Sequence, residues 1–397
     1  MNKKNKYLLY RITYFLSGLF LSFYYSFIYT RRKKIIIFNS SCNQDFTWNA
    51  KSLFLNGKDE FRQLGYKVFF VITDDKKRKY LTNQYGNYFI GNRSIKERHL
   101  IYTSAIWVLS TLETPCSGVF LNRARFVFHL GHGTPIKNIG LCEKKPSILK
   151  KIFYKLNDTN ISLYLSTSDF FLPYMARVFN VSTKKIITSP QPRLADILKK
   201  ERNTKFQFDS NKKYILYAPT WRPYSGITLF PFDGFNIEKF NEYLKKSNII
   251  ILLRLHPRFE GDLTEYLRSN IINYNTELCP DISESLNLTD AIITDYSSIY
   301  CDYLVLNKPV AVLPYDIEEY TRQIGFSHDY EDIFPECLIK SEHDLKQFCQ
   351  SIHNYSFDTR SQSLLCEKLN FIPINTDITK YNINIIDKEY KIRWKRK

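Results

Sequence analysis

The segment AIITDYSSIYCDYLVLNKPVAVLPYD (Ala291–Asp316) contains two short apolar runs separated by a polar turn and an amphipathic stretch. The runs AIIT and PVAV are rich in β-branched residues and are bounded by polar residues, which is typical of buried strands. The residues between them fit a helix. A strand, turn, helix and second strand in this order indicate a parallel α/β sheet, in which ligands bind at the carboxyl ends of strands.

Similar apolar runs occur in both halves of the chain. They are KIIIF (34–38), YKVFFVIT (66–73), AIWVLST (105–111), RFVFHLG (125–131), YILYAPTW (214–221) and NIIILLRLHP (248–257). At 397 residues the chain is long enough for two domains of roughly 150 residues each. We therefore predict two α/β domains, 34–200 and 201–375, that face each other across a cleft, followed by a basic tail, 376–397.

Composition narrows the classes of protein and partner. A hydrophobic content of 44% excludes a mostly disordered chain. The net charge of +18, from 57 Lys and Arg against 39 Asp and Glu, favours an anionic partner: nucleic acid, anionic lipid or a phosphorylated substrate. The eight scattered cysteines fit reduced thiols in a cytosolic compartment better than a disulfide framework.

The N-terminus carries an uncharged run from Ile12 to Tyr29, followed by the basic block RRKK (31–34). As a helix, this run would be about 27 Å long, which is marginal for spanning a bilayer. Its tyrosines suit a membrane interface, and the basic block suits an anionic leaflet. We predict that residues 1–33 form a membrane-associating helix with a basic flank. Whether it spans or lies in the interface stays open, and a buried core helix is the alternative.

The stretch FHLGHGTPIKNIG (Phe128–Gly140) places His132 between two glycines directly after a predicted strand. Glycines allow a tight turn and a close approach of the backbone to a ligand. A neutral imidazole at a strand end can accept a proton, so His132 is a candidate catalytic base. The alternatives are a merely structural turn and a metal site formed with His129, although no Cys or acidic ligand is adjacent.

The residues after His132 suggest an anion site. Thr134 is expected to cap a helix whose first residue is Pro135. Lys137 and the amino end of that helix would then hold a phosphate. The candidate substrate-binding residues in this stretch are Gly133, Thr134 and Lys137.

In the second half, polar side chains follow each predicted strand. A buried strand precedes Arg254 and His256, and the SS dipeptide after the strand AIIT offers backbone N–H groups to a phosphate. Structural explanations compete at each position: an ion pair, helix capping, or a packed strand-end histidine. The candidate substrate-binding residues are Thr220, Arg222, Arg254, Thr294, Asp295, Ser297 and Ser298.

Taken in order, HGTPIKNIG, YAPTWR, RLHP and ITDYSSIYCDYLVLNKPVAVLPYD closely resemble the CDP-glycerol:glycerophosphotransferase family of teichoic-acid and capsule synthesis, over most of residues 34–350. The resemblance implies a GT-B-like fold of two Rossmann-type domains. It also implies a CDP-activated polyol phosphate as donor, a lipid-linked saccharide or polyol-phosphate acceptor, and peripheral or N-terminally anchored association with the cytoplasmic face of the bacterial membrane.

The resemblance also implies residue roles. His132 matches the general base of the family's HGTP motif, His256 matches the histidine beside the donor pyrophosphate, and Ser297 and Ser298 match the phosphate-binding turn. The chain departs from the family at Gly131, where an aromatic residue is common. It also departs in PRLAD (192–196), whose acidic residue comes one position late, so that Arg193 is only a weak candidate.

The predicted activity is transfer of glycerol phosphate, or a related polyol phosphate, to an acceptor hydroxyl with release of CMP. A ribitolphosphotransferase that uses CDP-ribitol and a GT-B nucleotide-sugar glycosyltransferase are the enzymatic alternatives. A basic membrane-bound scaffold or nucleic-acid binder is the non-enzymatic one, and it has no need for histidines at two strand ends. We predict no nucleic-acid partner and no resident cofactor. Mg²⁺ on the donor phosphates stays open.

Overall fold

A computed structural model describes residue 16 and residues 18–199, 204–222, 224–255 and 263–394. The chain divides into two compact units. Unit 1 comprises Met1–His132, Ile139–Ala195 and Phe371–Lys397, and unit 2 comprises Gly133–Asn138 and Asp196–Asn370. The change from unit 1 to unit 2 after Ala195 comes a few residues before the predicted boundary at residue 200.

The apolar runs named above form eight of the twelve strands among the described residues. In unit 1 the strands are β1 (Lys33–Asn39), β2 (Lys67–Val71), β3 (Phe89–Ile90), β4 (Ser104–Leu109), β5 (Phe126–His129), β6 (Leu163–Ser166) and β7 (Ile186–Thr188). In unit 2 they are β8 (Lys213–Ala218), β9 (Ile249–Leu253), β10 (Ile271–Asn273), β11 (Ala291–Thr294) and β12 (Val310–Val312). Every run that we predicted as a strand forms one, whereas β3, β6, β7 and β10 were not among those runs.

The α-helices lie mostly between the strands. Up to residue 198 they are α1 (Leu19–Phe23), α2 (Trp48–Gln63), α3 (Asp75–Tyr85), α4 (Ile95–Thr103), α5 (Ile148–Asp158), α6 (Leu172–Phe179) and α7 (Leu194–Leu198). They continue with α8 (Ile237–Lys246), α9 (Ile299–Leu304), α10 (Ile317–Gln323), α11 (Tyr330–Ile333), α12 (Glu342–His353), α13 (Arg360–Leu369) and α14 (Ile378–Trp394). A π-helical turn, Tyr24–Ile28, directly follows α1.

Both sheets are parallel and doubly wound. The seven strands of unit 1 have the order β3-β2-β1-β4-β5-β6-β7, and the five strands of unit 2 have the order β10-β9-β8-β11-β12. The strand order therefore reverses between β1 and β4 in unit 1 and between β8 and β11 in unit 2. Such reversals open a crevice at the carboxyl ends of the strands, where α/β proteins bind ligands. The predicted α/β class with parallel sheets is confirmed; the predicted cleft between the two halves stays a prediction.

Each unit has its own apolar core. In unit 1, Phe38 of β1 and Phe70 of β2 pack on the ring of Phe54 of α2. The same cluster holds the phenylalanines of β5 and the fully buried Ile383 and Ile386 of α14. In unit 2, β9 and β11 pack against Phe240 of α8 and Phe348 of α12. Burial of continuous β-branched and aromatic runs on both faces is what parallel sheets require.

The predicted basic tail is largely helix α14. The hydroxyl of Tyr66 donates to Oδ1 of Asp387 at 2.9 Å, and Nδ2 of Asn382 donates to the carbonyl oxygen of Pro190 at 3.0 Å. Apolar residues spaced for one helix face lie between the basic ones, and that face is buried. The structure therefore differs from the expected tail, because counting charges overlooked the apolar face.

The N-terminal segment Leu19–Ile28 packs on unit 1 with one face. The ring of Tyr25 stacks on Tyr102 with centroids 4.9 Å apart, and its hydroxyl lies 2.7 Å from Nδ1 of His99. The opposite face leaves Phe20 82% and Ile28 67% exposed. No helix among the described residues is long and apolar enough to cross a membrane. Much of the predicted membrane helix lies in residues 1–15, outside the described part, so its membrane role stays a prediction.

Candidate active site

His132 lies at the carboxyl edge of the unit 1 sheet, next to the reversal of strand order. It follows β5, and the first residue of α2 and the residue after β4 supply its neighbours. The chain turns at Gly131, whose φ of +67° lies in the left-handed region that favours glycine. The side chain of His132 is exposed. The structure therefore places His132 just after a strand, as predicted.

Two groups orient the imidazole of His132. Its Nδ1 lies 3.2 Å from the carbonyl oxygen of Ser110, the residue after β4. The indole of Trp48 stacks on the ring with centroids 4.9 Å apart and an interplanar angle of 30°. In the tautomer whose Nδ1–H donates a hydrogen bond to the carbonyl oxygen of Ser110, Nε2 carries a lone pair and can accept a proton.

The turn that carries His132 is itself held by side chains. Nδ2 of Asn49 donates to the carbonyl oxygens of Leu130 and Gly131 at 3.2 and 3.0 Å. Nη1 of Arg193 donates to the carbonyl oxygen of His132 at 3.0 Å, and its backbone N–H donates to Oδ1 of Asn49 at 3.2 Å. Arg193, a weak candidate from sequence, thus positions the loop.

His129 is a core residue. Its ring packs against Tyr164 and Phe179, with centroids 5.5 and 5.4 Å away. Burial, with a smaller contribution from His132, lowers the pKa of His129 to about 3, which keeps its imidazole neutral at physiological pH. His129 therefore contributes packing, and His132 is the exposed member of the pair.

The expected helix at Thr134 and Pro135 is absent from these described residues, which is a correction to the sequence prediction. The segment Gly133–Asn138 is extended and belongs to unit 2. The N–H of Asn138 donates to the carbonyl oxygen of Gly325 at 3.0 Å, and that of Ser327 donates to Ile136 at 3.0 Å. Pairing with this distant segment fixes an extended backbone, so no helix amino end supports a phosphate here.

Lys137 nevertheless occupies a polar cluster of unit 2. Its Nζ lies 5.8 Å from the ring centroid of Tyr320. Burial lowers the pKa of Lys137 to about 8; the charge of Asp295 opposes this shift, and that of Arg222 adds to it. An anion that binds close to Lys137 would therefore raise this pKa and stabilise the charged ammonium group.

Arg222 follows β8 and joins two carboxylates. Its Nη1 contacts Asp295 after β11, while Nε and Nη2 donate to the two oxygens of Asp316 after β12 at 3.0 and 2.8 Å. The guanidinium is fully buried and lies 4.6 Å from the ring centroid of Tyr315. Burial acts to lower the pKa of Arg222, but both carboxylates raise it above its usual value. Arg222 thus ties three strand ends together rather than presenting a bare cation.

Asp295 accepts several of the hydrogen bonds that hold this cluster together. Its carboxylate accepts from the backbone N–H of Thr220 at 2.8 and 2.9 Å and from that of Tyr296 at 2.6 Å. In the strand before it, the hydroxyl of Thr294 donates to the carbonyl oxygen of Ala218 at 2.6 Å. The candidates Thr220, Thr294 and Asp295 are therefore brought together at the reversal between β8 and β11.

Ser297 and Ser298 lie at the same edge and lead into α9. Both are partly exposed, and Ser298 is the residue that precedes the helix. The hydroxyl oxygen of Ser297 accepts from the N–H of Ile299 at 3.4 Å, whereas Ser298 makes no side-chain cap. Ser298 therefore lies at the carboxyl edge of the sheet without capping α9 through its side chain, and its role in a phosphate-binding turn stays a prediction.

Arg254 is buried and anchors a loop. Its Nη1 donates to the carbonyl oxygens of Tyr274 and Cys279 at 3.0 and 2.8 Å. These two bonds fix the chain that follows β10 against β9. His256, the predicted partner of the donor pyrophosphate, lies outside the described residues, so its role stays a prediction.

Several neighbours of the candidate residues were not foreseen: Trp48, Asn49 and Ser110 around His132 in unit 1, and Asp316 and Tyr320 in the polar cluster of unit 2. Asp316 follows β12, so the rule that located Asp295 after β11 would have found it. Trp48, Asn49 and Tyr320 lie on helices and Ser110 follows β4, and no local motif marks any of them. Among the described residues, no group of three or more His, Cys, Asp or Glu is arranged to hold a metal ion.

Comparison with known proteins gives consistent matches. The sequence profile of the family described as CDP-Glycerol:Poly(glycerophosphate) glycerophosphotransferase matches residues 21–370. The teichoic acid poly(glycerol phosphate) polymerase of Bacillus spizizenii is 27% identical over 348 residues, which cover 83% of this chain and 86% of that protein. The teichoic acid poly(ribitol-phosphate) polymerase of the same organism is 28% identical over 211 residues, 51% of this chain and 34% of that protein. The chain thus spans only about a third of the ribitol-phosphate relative.

The fold is also similar to that of a solved enzyme. A structure of the wall teichoic acid polymerase TagF, soaked with CDPG, superposes with a TM-score of 0.73 at 18% identity. The match covers 99% of this chain and 100% of that one. At 18% identity this similarity shows a shared fold and nothing more.

Proposed function

The chain belongs to the CDP-glycerol:poly(glycerophosphate) glycerophosphotransferase family, and we propose from this membership that it transfers a polyol phosphate from a CDP-activated donor to an acceptor hydroxyl. An oxygen of the acceptor attacks the phosphorus that bears the polyol. The new P–O bond forms as the bond to the leaving phosphate breaks, and CMP departs. Such reactions depend mainly on positioning and on stabilising charge at the transferring phosphoryl group.

The observation that carries the proposal is the environment of His132. Its exposed ring is fixed on one side by the carbonyl oxygen of Ser110 and on one face by Trp48. Nε2 is then the atom that receives the acceptor's proton as the new bond forms. A histidine suits this step because its pKa lies near neutral pH, where an alcohol needs a base.

The polar edge of unit 2 supports donor binding. Lys137 supplies a positive charge there, and Ser298 and the hydroxyl of Ser297 supply hydrogen-bond partners for phosphate oxygens. Arg222 acts as a positioning residue, because its guanidinium is occupied by Asp295 and Asp316. Thr220 and Asp295 shape the edge because the backbone N–H of Thr220 donates to the carboxylate of Asp295. Gly133 and Thr134 extend it along the segment that contains Lys137.

The remaining sequence predictions complete the proposal. His256 contacts the donor pyrophosphate, and a Mg²⁺ ion on the donor phosphates would assist by neutralising charge. Arg254 supports the site by fixing its loop. The acceptor is linked to a lipid at the cytoplasmic face of the membrane, and the protein associates peripherally with that surface. Each unit is of the Rossmann type that GT-B-like enzymes contain.

The identity of the polyol divides the proposal into two candidates. Glycerol is favoured because the glycerol-phosphate relative matches over most of both chains, whereas the ribitol-phosphate relative matches over part of each. Ribitol differs from glycerol by two additional hydroxylated carbons. A site that hydrogen-bonds those hydroxyls would discriminate strongly between the two donors.

The test is CMP release from purified full-length protein. CDP-glycerol and CDP-ribitol are supplied in parallel with a lipid-linked acceptor, and a UDP-sugar serves as the control for glycosyl transfer. We expect CMP release with one CDP-polyol and no nucleoside diphosphate release from the sugar donor. Release of a nucleoside diphosphate alone would assign the protein to the glycosyltransferases instead.

A further inference from the structure

The two groups that orient His132 come from different parts of unit 1. The carbonyl oxygen that contacts its Nδ1 belongs to Ser110, the first residue of the loop after β4. The indole that stacks on its ring belongs to Trp48, which directly follows the loop between β1 and α2. The orientation of the imidazole therefore depends on what holds these two loops to each other.

Two asparagines join the loops. Asn39 ends β1 and is fully buried, and its Nδ2 donates to the carbonyl oxygen of Glu113 at 2.7 Å and to Oδ1 of Asn43 at 2.9 Å. Nδ2 of Asn43 donates in turn to the carbonyl oxygen of Thr114 at 2.9 Å. The two amides thus bind successive carbonyl oxygens of the loop after β4. We call this pair the Asn39–Asn43 clamp.

The clamp also fixes the carbonyl group of Ser110. The backbone oxygen of Asn39 accepts from the N–H of Ser110 at 3.2 Å, so Asn39 holds the loop at Ser110 and again at Glu113. The hydroxyl oxygen of Ser110 accepts from the N–H of Ala50 in α2 at 2.8 Å. The Ser110 carbonyl cannot rotate away from His132 unless some of these buried groups lose their partners, which is unfavourable in a protein interior.

The loop between β1 and α2 is constrained as well. Asn43 has a φ of +57°, in the left-handed region that asparagine tolerates, and its carbonyl oxygen accepts from the N–H of Thr73 at 2.7 Å. The hydroxyls of Ser40 and Thr47 lie 2.9 Å apart and close the loop just before Trp48. Trp48 itself has a φ of +60°, which is strained for a bulky side chain. Such strain persists only where the surroundings enforce it, and it occurs mainly at functional sites.

We propose that Asn39 and Asn43 are positioning residues for the catalytic base. Their clamp holds the Ser110 carbonyl, which selects the Nδ1–H tautomer of His132, and the loop that carries the Trp48 indole, which fixes the plane of the ring. Nε2 then carries the lone pair that receives the acceptor's proton. The proposal rests on the proposed function, in which His132 is the base, and it assigns the choice of the proton-accepting atom to residues that act through other groups.

The first experiment determines the tautomer of His132 by nitrogen NMR of the full chain with isotopically labelled histidine. The chain has seven histidines, so the spectrum of His132→Gln identifies the signals. The wild type is expected to show one form, with Nδ1 protonated. Asn39→Ala and Asn43→Gly should each lose this single form and give a mixture of both tautomers. Glycine at position 43 keeps the left-handed backbone, so this variant should fold.

Kinetics supply the second measurement. With the preferred CDP-polyol and a lipid-linked acceptor, each variant should lower kcat about tenfold and change the donor KM by about twofold or less, because the base is misplaced while donor binding is not. The double variant Asn39→Ala with Asn43→Gly should lose little more than either single one. Each substitution alone already breaks the same clamp, so their effects should not add.

Asn160→Ala is the matched control. Asn160 is also fully buried and joins backbone groups of unit 1: its Nδ2 donates to the carbonyl oxygen of Gly118 at 2.9 Å, and its Oδ1 accepts from the N–H of Leu121 at 3.1 Å. Its loss should lower the thermal stability about as much as Asn39→Ala does. The tautomer of His132 and kcat should both stay as in the wild type.

The proposal is overturned if the clamp variants lose stability as the control does but keep the wild-type tautomer and kcat. A change in only one of these two properties, in a protein that releases CMP, overturns it as well. Should Asn39→Ala not fold, Asn43→Gly decides.

Failure of the proposed function would look different. If the wild type releases no CMP from either CDP-polyol while the clamp variants still lose the Nδ1–H form, the clamp's control of the tautomer stands and the transferase proposal fails.

Discussion

Replacing Arg222 by methionine is expected to lower the free energy of unfolding of unit 2 while its fold is retained. The side chain is fully buried, and its removal leaves the carboxylates of Asp295 and Asp316, 2% and 15% exposed, without their cation. Breaking a buried pair on one side costs about 3–5 kcal/mol. Asp295 keeps its two backbone N–H donors, and Asp316 can be hydrated, so we expect a loss of about 3 kcal/mol in the free energy of unfolding of unit 2.

Hydrogen–deuterium exchange of peptides that cover β8 and β11 measures this loss in unit 2 alone. Arg222→Lys keeps the positive charge but cannot donate two parallel hydrogen bonds to Asp316. It should lower the free energy of unfolding of unit 2 by about 1.5–3 kcal/mol. Arg322→Met, which breaks a solvent-exposed pair with Glu319, is the control and should leave exchange unchanged. Exchange of Arg222→Met equal to that of the wild type would refute the view that Arg222 ties these strand ends together.

The pH dependence provides a second check on the same variant. Burial acts to raise the pKa of Asp316, but Arg222 and Tyr224 lower it below its usual value. In the wild type, the stability from this carboxylate is therefore present above the unfolded pKa and is lost as the pH falls. Without Arg222 the carboxyl of Asp316 lacks the contact that lowers its pKa, so the difference between variant and wild type should persist at neutral pH and shrink as the pH falls below 3.8, the ordinary pKa of this carboxyl.

Three further outcomes are expected. Because burial lowers the pKa of Lys137 to about 8, its charge is lost above that pH, so the KM for the CDP-polyol should rise there, whereas Lys137→Arg should show no such rise. Trp48→Leu should lower kcat about tenfold with little change in the donor KM, because the ring of His132 loses the indole that stacks on it. Trp394→Leu is the control, and an unchanged kcat of Trp48→Leu would contradict this role. Tyr25→Ala should cost unit 1 about 3 kcal/mol by removing a buried ring stacked on Tyr102, measured by denaturant unfolding. Wild-type stability would mean that the segment packs loosely.

The sequence was sufficient to locate eight of the strands and the polar residues that follow them, whereas the short strands β3, β6, β7 and β10 were not predicted. Continuous apolar runs such as IIILL in β9 have few alternatives in a chain of this length, and parallel sheets bring their carboxyl ends to one edge. For this reason His132, Asp295 and Ser298 lie at strand ends in the structure as predicted. Their catalytic and binding roles stay predictions until they are measured.

Long-range partners could not be read from local patterns. Pro135 carries a strong helix-start signal, yet its segment is extended, because its neighbours pair with Gly325 and Ser327 almost two hundred residues away. For Arg222 the sequence left phosphate binding and an ion pair open, because it does not reveal that Asp316 folds back to it. The charge of the C-terminal residues likewise concealed the apolar face of α14. In each case a tertiary contact overrode a local preference.

The most direct test of the account is CMP release by His132→Gln. Glutamine keeps a polar side chain at the turn but cannot act as a base, while Asn49 and Arg193 continue to hold the loop. With the preferred CDP-polyol and a lipid-linked acceptor, the account predicts that CMP release falls about 10²–10⁴-fold, with donor affinity and thermal stability nearly unchanged. Wild-type turnover by His132→Gln would contradict it.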